Sequence, residues 1–217
     1  MPSSLSSSAC RLSPVGGRWG GLLPTLETGR AAVRCALWAL AAFPLTLLAA
    51  ASLALLLGGR CAPWQALAGL AAALGALWVA AGGRWRCALW GGVLFGGYLA
   101  FVWVATGCFV VNDYDSAGYH LPTVRLLMGG WNPIRTATPE ALAAFAGLDL
   151  ATLWHWHVLF IVRPVETVSA VLGFYACAPF NLLFPCYALL APVSLAAVWR
   201  WLRGFGGDAR CARLLWG

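Results

Sequence analysis

Three uncharged apolar runs, Cys35 to Leu57, Pro63 to Ala81 and Cys87 to Val111, follow one another with only short breaks between them. Each is long enough to cross the roughly 30 Å hydrocarbon core of a bilayer as a helix. In hydrocarbon every backbone N–H and C=O needs a partner inside the protein, and a helix supplies those partners within a single segment. The breaks, Gly58-Gly59-Arg60 and Gly82-Gly83-Arg84-Trp85-Arg86, read as tight turns. The prediction is an all-α, polytopic integral membrane protein. Composition agrees, with 61% hydrophobic and 10% charged residues, 13 Trp and a mean hydropathy of +0.78,. Small residues at Ala68, Ala72, Gly75 and Gly96 are the candidate positions for close helix contact,.

The charge pattern excludes one large class of partner and orients the spans. The formal charge of +7 is carried by Arg alone, scattered singly between apolar runs rather than gathered in a basic stripe. That is the pattern of topology signals and not of a nucleic-acid surface. Arg11, Arg18, Arg30 and Arg34 place the Ser-, Gly- and Pro-rich residues 1–34 in the cytoplasm as a disordered tail, although a cleaved transit peptide has the same composition,. Arg84 and Arg86 then make the second turn cytoplasmic too, and the third span of the 35–111 array delivers Asn112 to the outer side,. The cluster of Arg200, Arg203, Arg210 and Arg213 requires an odd number of crossings after Asp115. A single crossing at 182–200 satisfies this, with 165–181 as a helix at the outer interface. Residues 201–217 form a cytoplasmic turn and the start of a further span, as expected of the amino-terminal part of a longer protein.

Eight cysteines occur without a CxxC pair, so zinc and dithiol chemistry have no support,. Cys35, Cys87, Cys177 and Cys186 lie in or at the ends of apolar runs, where Cys behaves as a small hydrophobe,. If any disulfide forms, Cys61 and Cys108 are the pair that could share a membrane face.

Chemistry concentrates in residues 112–164, the only long polar connection,. Asp113-Tyr114-Asp115-Ser116 precedes a predicted helix that Gly129-Gly130 ends, with Pro122 either kinking it or beginning its second half,. Two aspartates one residue apart can hold a divalent metal, orient it toward a diphosphate, or supply a general base. Equally, Asp115 can be a helix cap, Asp113 a solvated surface charge and His120 a hydrogen-bonded interfacial residue. A second cluster, Trp154-His155-Trp156-His157, spaces two imidazoles on one face of an extended segment, as a metal site would, within what also reads as an aromatic belt,. Arg125 and Arg163 on the same side could take a phosphate or snorkel from helix ends,.

Asp113-Tyr-Asp115-Ser-Ala-Gly-Tyr119-His120-Leu-Pro122, followed by Gly129-Gly130-Trp131-Asn132-Pro133, resembles the first large outer loop of GT-C-type polytopic glycosyltransferases. The closest likeness is to the bacterial branch with an Asp-Ser-x-x-Tyr-His-Leu-Pro motif. His157 to Arg163-Pro164, with Glu166 and Asn181 beyond, is similar to the weaker pattern that follows in that branch. The resemblance covers about residues 95–217. It implies a multi-pass protein of the bacterial inner membrane that transfers a sugar from a polyprenyl-phosphate-linked donor to an extracytoplasmic acceptor. It implies Asp115, then Asp113, as the catalytic carboxylate, and Tyr119, His120, Arg125 and Arg163 as substrate-binding residues. A divalent metal, if used, would fall to Asp113, Asp115, His155 and His157. A rival expectation is a noncatalytic membrane subunit or scaffold whose outer loop binds a partner. A transporter is disfavoured because ionisable residues are confined to the span boundaries,.

Overall fold

The computed structural model describes residues 25–108, 120–136, 138–147, 164–175 and 184–205. Among the described residues the chain forms helices and no strand: α1 (Leu26–Leu56), α2 (Trp64–Ala81), α3 (Trp85–Cys108), α4 (Leu121–Met128), α5 (Pro139–Ala146), α6 (Pro164–Gly173) and α7 (Phe184–Phe205). Thr25 caps α1, its hydroxyl accepting the Thr28 N–H at 3.3 Å, and Glu27 in the first turn complements the positive end of the helix dipole,. Pro44 is accommodated inside α1, as prolines are where neighbouring helices support the freed backbone groups,. At the other end of α2, Gly82 and Gly83 adopt φ of 56° and 75°, the left-handed geometry that lets the chain reverse directly into α3,.

The helices meet along rows of residues spaced by four. On α1 the buried row is Ala31, Cys35, Ala39, Phe43, Leu47, Ala51 and Leu55. On α2 it is Gln65, Gly69, Ala73, Leu77 and Ala81, and on α3 it begins Cys87, Gly91, Phe95. Such i, i+4 ridges interdigitate, and small residues let the backbones approach. A Cβ added at Gly69 would lie 2.8 Å from the Phe43 carbonyl oxygen, and one at Gly91 would lie 2.8 Å from the Cys35 Cβ. Phe43 fills the space beside them, edge-on to Phe95 with ring centroids 6.3 Å apart,. The contact row therefore differs from the one expected. Gly75 and Gly96 have nothing within 4 Å of where a Cβ would stand, and Ala68 and Ala72 are only partly buried. The reason is that α2 is apolar on all sides, so hydrophobicity does not mark which side faces protein.

α1, α2 and α3 are the helices long and apolar enough to cross a membrane among the described residues. Their outward faces carry Trp38, Leu45, Leu67, Leu74, Val79, Val93, Phe101 and Val104 in exposed positions. An apolar surface this continuous belongs in lipid, and the protein is an all-α integral membrane protein. α7 occupies the segment expected as the last crossing and contains Pro192. It is fastened to α3 by the Tyr98 hydroxyl, which donates to the Ala188 carbonyl at 2.7 Å. α6 covers the first part of the expected 165–181 interfacial segment, and Glu166 through Val171 are all buried, with the helix packed against α1, α4 and α7.

No disulfide links Cys61 to Cys108: both thiols are free, Cys61 buried in the α1–α2 turn and Cys108 exposed at the end of α3. Cys35, Cys87 and Cys186 are buried apolar positions, and Cys177 lies outside the described residues. Of the expected 1–34 tail, residues 1–24 lie outside the described residues and residues 26–34 are part of α1.

Two outcomes are expected. Gly91→Val should cost about 1–3 kcal/mol through overpacking, whereas Gly96→Ala should be neutral; thermal unfolding in micelles separates them. Burial raises the Cys61 thiol to about 11 from an ordinary 9.0. In the unfolded chain the thiol ionises first, so its contribution to stability should be intact below pH 9 and fall away between pH 9 and 11. A Cys61→Ala variant should lack that decline.

Candidate functional site

The site is assembled at the end of the bundle where α1 stops. A helix end leaves its last carbonyls without partners, and at the edge of a membrane water is an unreliable substitute. Here the Leu55 carbonyl accepts the Gly58 N–H in its own turn, and a further donor to it and to the Gly59 carbonyl comes from later in the chain. Gly129 and Gly130 end α4, Gly130 with φ +98°, and the turn carries Trp131 into full burial. Asn132 follows. Its side-chain amide donates to the Leu55 carbonyl at 2.9 Å and to the Gly59 carbonyl at 2.7 Å. Its side-chain oxygen accepts the backbone N–H groups of Ile134 at 2.9 Å and Arg135 at 3.2 Å, closing a local turn. One carboxamide thus uses both faces, one on α1 and one on its own loop.

The α1–α2 turn is braced from several directions. Gln65, fully buried, accepts the Ala62 N–H at 3.0 Å and donates to the Arg60 carbonyl at 3.1 Å. Tyr175, just beyond α6, donates to the Pro63 carbonyl at 2.9 Å. Gly58, with φ +83°, lies directly under the Arg135 guanidinium, where a Cβ would be 2.0 Å from that group. These contacts fix the Gly129–Pro133 motif and α4 against the bundle.

With α4 placed, His120 at its amino terminus meets Glu166 on α6, Nδ1 to Oε1 at 2.5 Å. His120 holds the N-cap position but has helical φ and ψ of −65° and −52° and makes no capping bond, because its ring is directed at the carboxylate. The side chain of Glu166 is 3% exposed and that of His120 14%. The second carboxylate oxygen, Oε2, is buried with no hydrogen-bond partner among the described residues, as is the hydroxyl of Ser169 one turn further on. Cys186 on α7 lies within electrostatic reach of the carboxylate. A buried carboxylate is costly unless paired, so this ion-pair geometry is the strongest chemical feature in the described residues.

A groove of about 250 Å³ opens between α1, α2, α3, α6 and α7. Leu70, Leu99, Val102 and Leu172 line it, and Thr106 and Gly107 bring it to the end of α3. The Thr106 hydroxyl is spent on the Val102 carbonyl of its own helix at 2.6 Å, leaving the groove almost wholly apolar.

Of the residues singled out by sequence, His120 and Arg125 are described. Asp113, Asp115, Tyr119, His155, His157 and Arg163 lie outside the described residues. Arg125 is exposed in the last turn of α4, where a cation suits the negative end of the helix dipole, while Leu121, Thr123, Val124 and Leu127 form the buried face,. The structure does not bring it to the His120–Glu166 pair. No cluster of three His, Cys, Asp or Glu residues suited to a metal occurs among the described residues. Sequence reasoning missed Glu166 as the partner of His120 and Asn132 as the tie to α1. The available signal for Glu166 was an acid embedded in an apolar segment, which demands a partner.

Asn132→Ala should lower stability by about 1–3 kcal/mol, since the Gly59 carbonyl loses its side-chain donor while the Leu55 carbonyl keeps only the Gly58 N–H,. Asn132→Asp should be at least as damaging, because a carboxylate there faces carbonyl oxygens; both are read by thermal unfolding in micelles.

No protein family, curated protein or solved structure matches the chain.

Proposed function

We propose that the chain is a glycosyltransferase-like membrane protein that moves a sugar from a polyprenyl-phosphate-linked donor to an acceptor at the outer face of the membrane. The observation that carries this reading is the apolar groove. It is open among lipid-facing helices and reaches Thr106 and Gly107, a few residues before the Asp113 to Pro122 sequence. In this reading the isoprenoid chain of the donor rests in the groove, and Asp113 and Asp115 follow the end of α3 in sequence. Asp115 then takes the proton from the attacking acceptor hydroxyl, and Asp113, its neighbour, ranks second for that role. The GT-C-like motif supports the same assignment, and His120 supplies a polar contact on the substrate side. A divalent metal held by Asp113 and Asp115 belongs to the same proposal. The membrane concerned is the bacterial inner membrane, crossed several times.

The test is transfer by the chain reconstituted in liposomes with radiolabelled polyprenyl-phosphate sugars. Asp115→Asn should insert normally and lose at least about a hundredfold in rate, the usual weight of a general base. Leu70→Trp, which fills the groove, should raise KM for long-chain donors and spare short-chain ones. Unchanged transfer in Asp115→Asn would remove the base assignment. A stable, inserted chain with no transfer from any donor would favour a noncatalytic subunit.

A further inference from the structure

We infer that Arg60 and Arg135 hold the headgroup phosphate of an anionic phospholipid, one of whose acyl chains lies in a crevice between the end of α1, the Pro133–Ile134 turn and the start of α6. This lipid site shares no lining residue with the groove assigned above to the donor, and it does not depend on the transferase reading.

The two arginines come from the two turns that Asn132 joins, and each side chain reaches across to a glycine of the other turn. A Cβ at Gly58, φ +83°, would overlap the Arg135 guanidinium, and one at Gly130, φ +98°, would stand 3.6 Å from the Arg60 Cδ and 3.8 Å from its Nη1. Glycine at these positions supplies the left-handed backbone and leaves the space that the arginines occupy. Arg135 spends one N–H of Nη2 on the Leu57 carbonyl at 3.4 Å, so most of its fork stays open,. Both arginines are exposed, and neither has an acid within ion-pair distance among the described residues. Glu166, beside the crevice residue Thr167 in sequence, is buried and engaged by His120. Cations gathered on joined turns without a countercharge attract an anion, and the planar fork of arginine suits phosphate.

The crevice, about 430 Å³ in volume, decides what that phosphate is attached to. Leu48, Ser52, Leu55 and Leu56 line it from α1, and Pro133 and Ile134 from the turn. The residue after Leu56 carries the carbonyl that Arg135 bonds, and Arg135 itself follows Ile134. The guanidinium is therefore tied to both walls of the crevice by the adjoining residue. A free phosphate makes no use of the leucines, and a neutral diglyceride makes none of the arginines. A phospholipid uses both, and the end of a spanning helix is the depth at which its phosphate lies,.

The experiment is native mass spectrometry of the full chain released from micelles and titrated with dioleoylphosphatidylglycerol, dioleoylphosphatidylcholine, dioleoylglycerol or glycerol 3-phosphate. Phosphatidylglycerol should be retained most tightly. Combining Arg60→Gln with Arg135→Gln should weaken it about thirtyfold, whereas Arg84→Gln with Arg86→Gln, in the turn at the opposite end of α2, should stay within about twofold. Ser52→Phe, which narrows the crevice, should also lower retention. Should the double variant fail to fold, the single substitutions, each worth about fivefold, carry the same comparison. Equal retention of phosphatidylcholine or dioleoylglycerol overturns the inference, as does displacement of the lipid by glycerol 3-phosphate. Wild-type binding in the Arg60 and Arg135 variants or in Ser52→Phe overturns it, and so does an equal loss on replacing Arg84 and Arg86.

Discussion

At the end of α1 the Leu55 carbonyl accepts the Gly58 N–H at 3.0 Å in its own turn and a second bond from Asn132, whose amide, brought in from beyond α3 and α4, also serves the Gly59 carbonyl in the turn that follows. In water such carbonyls would be solvated at little cost. At the margin of a bilayer an unmet backbone group costs several kcal/mol, so the donor to Gly59 and the second donor to Leu55 tie the two segments together,. The bond to Leu55 and Gly59 determines where the Gly129–Pro133 turn sits, and that turn determines where α4 lies. α4 in turn brings His120 to Glu166. The candidate site is therefore a consequence of how one helix end is capped.

The same logic explains why an acid survives inside α6. Glu166 lies in the buried stretch of α6, with α1, α4 and α7 packed around that helix. Desolvation alone would make such a residue a liability. Its imidazole partner converts it into a device that links two helices and orients a ring. The apolar groove does a different job, offering a lipid-like surface where the pair offers a polar one.

Legibility in the sequence followed the strength of the physical signal. The helices α1, α2 and α3 were readable because hydrocarbon thickness imposes a length, and the intervening Gly-Gly-Arg turns were readable because Gly58, Gly82 and Gly83 take positive φ. The stop of α4 at Gly129-Gly130 was readable for the same reason. The helix contact row was not: Ala68 and Gly75 look as suitable as Gly69 and Ala73 in a segment without an apolar stripe. Within the candidate site, His120 was visible as a chemical group beside the aspartates. Its partner was not, because 46 residues separate them and no local rule connects a helix start with a glutamate on a later helix. Asn132 was visible only as part of a motif, with no hint that its amide reaches Leu55.

By itself, the sequence determined that this is a helical membrane protein, since chain length and uniform apolarity leave few alternatives where water is excluded. It also determined where polar chemistry can collect, because acids and imidazoles are scarce and gather after the third span. Only the tertiary structure decided which small residues meet, which carbonyls Asn132 caps, and that His120 is held by Glu166. Those outcomes depend on helix rotation and docking. A helix apolar all round carries no instruction about its own rotation, and close packing with hydrogen bonds over long chain separations supplies it.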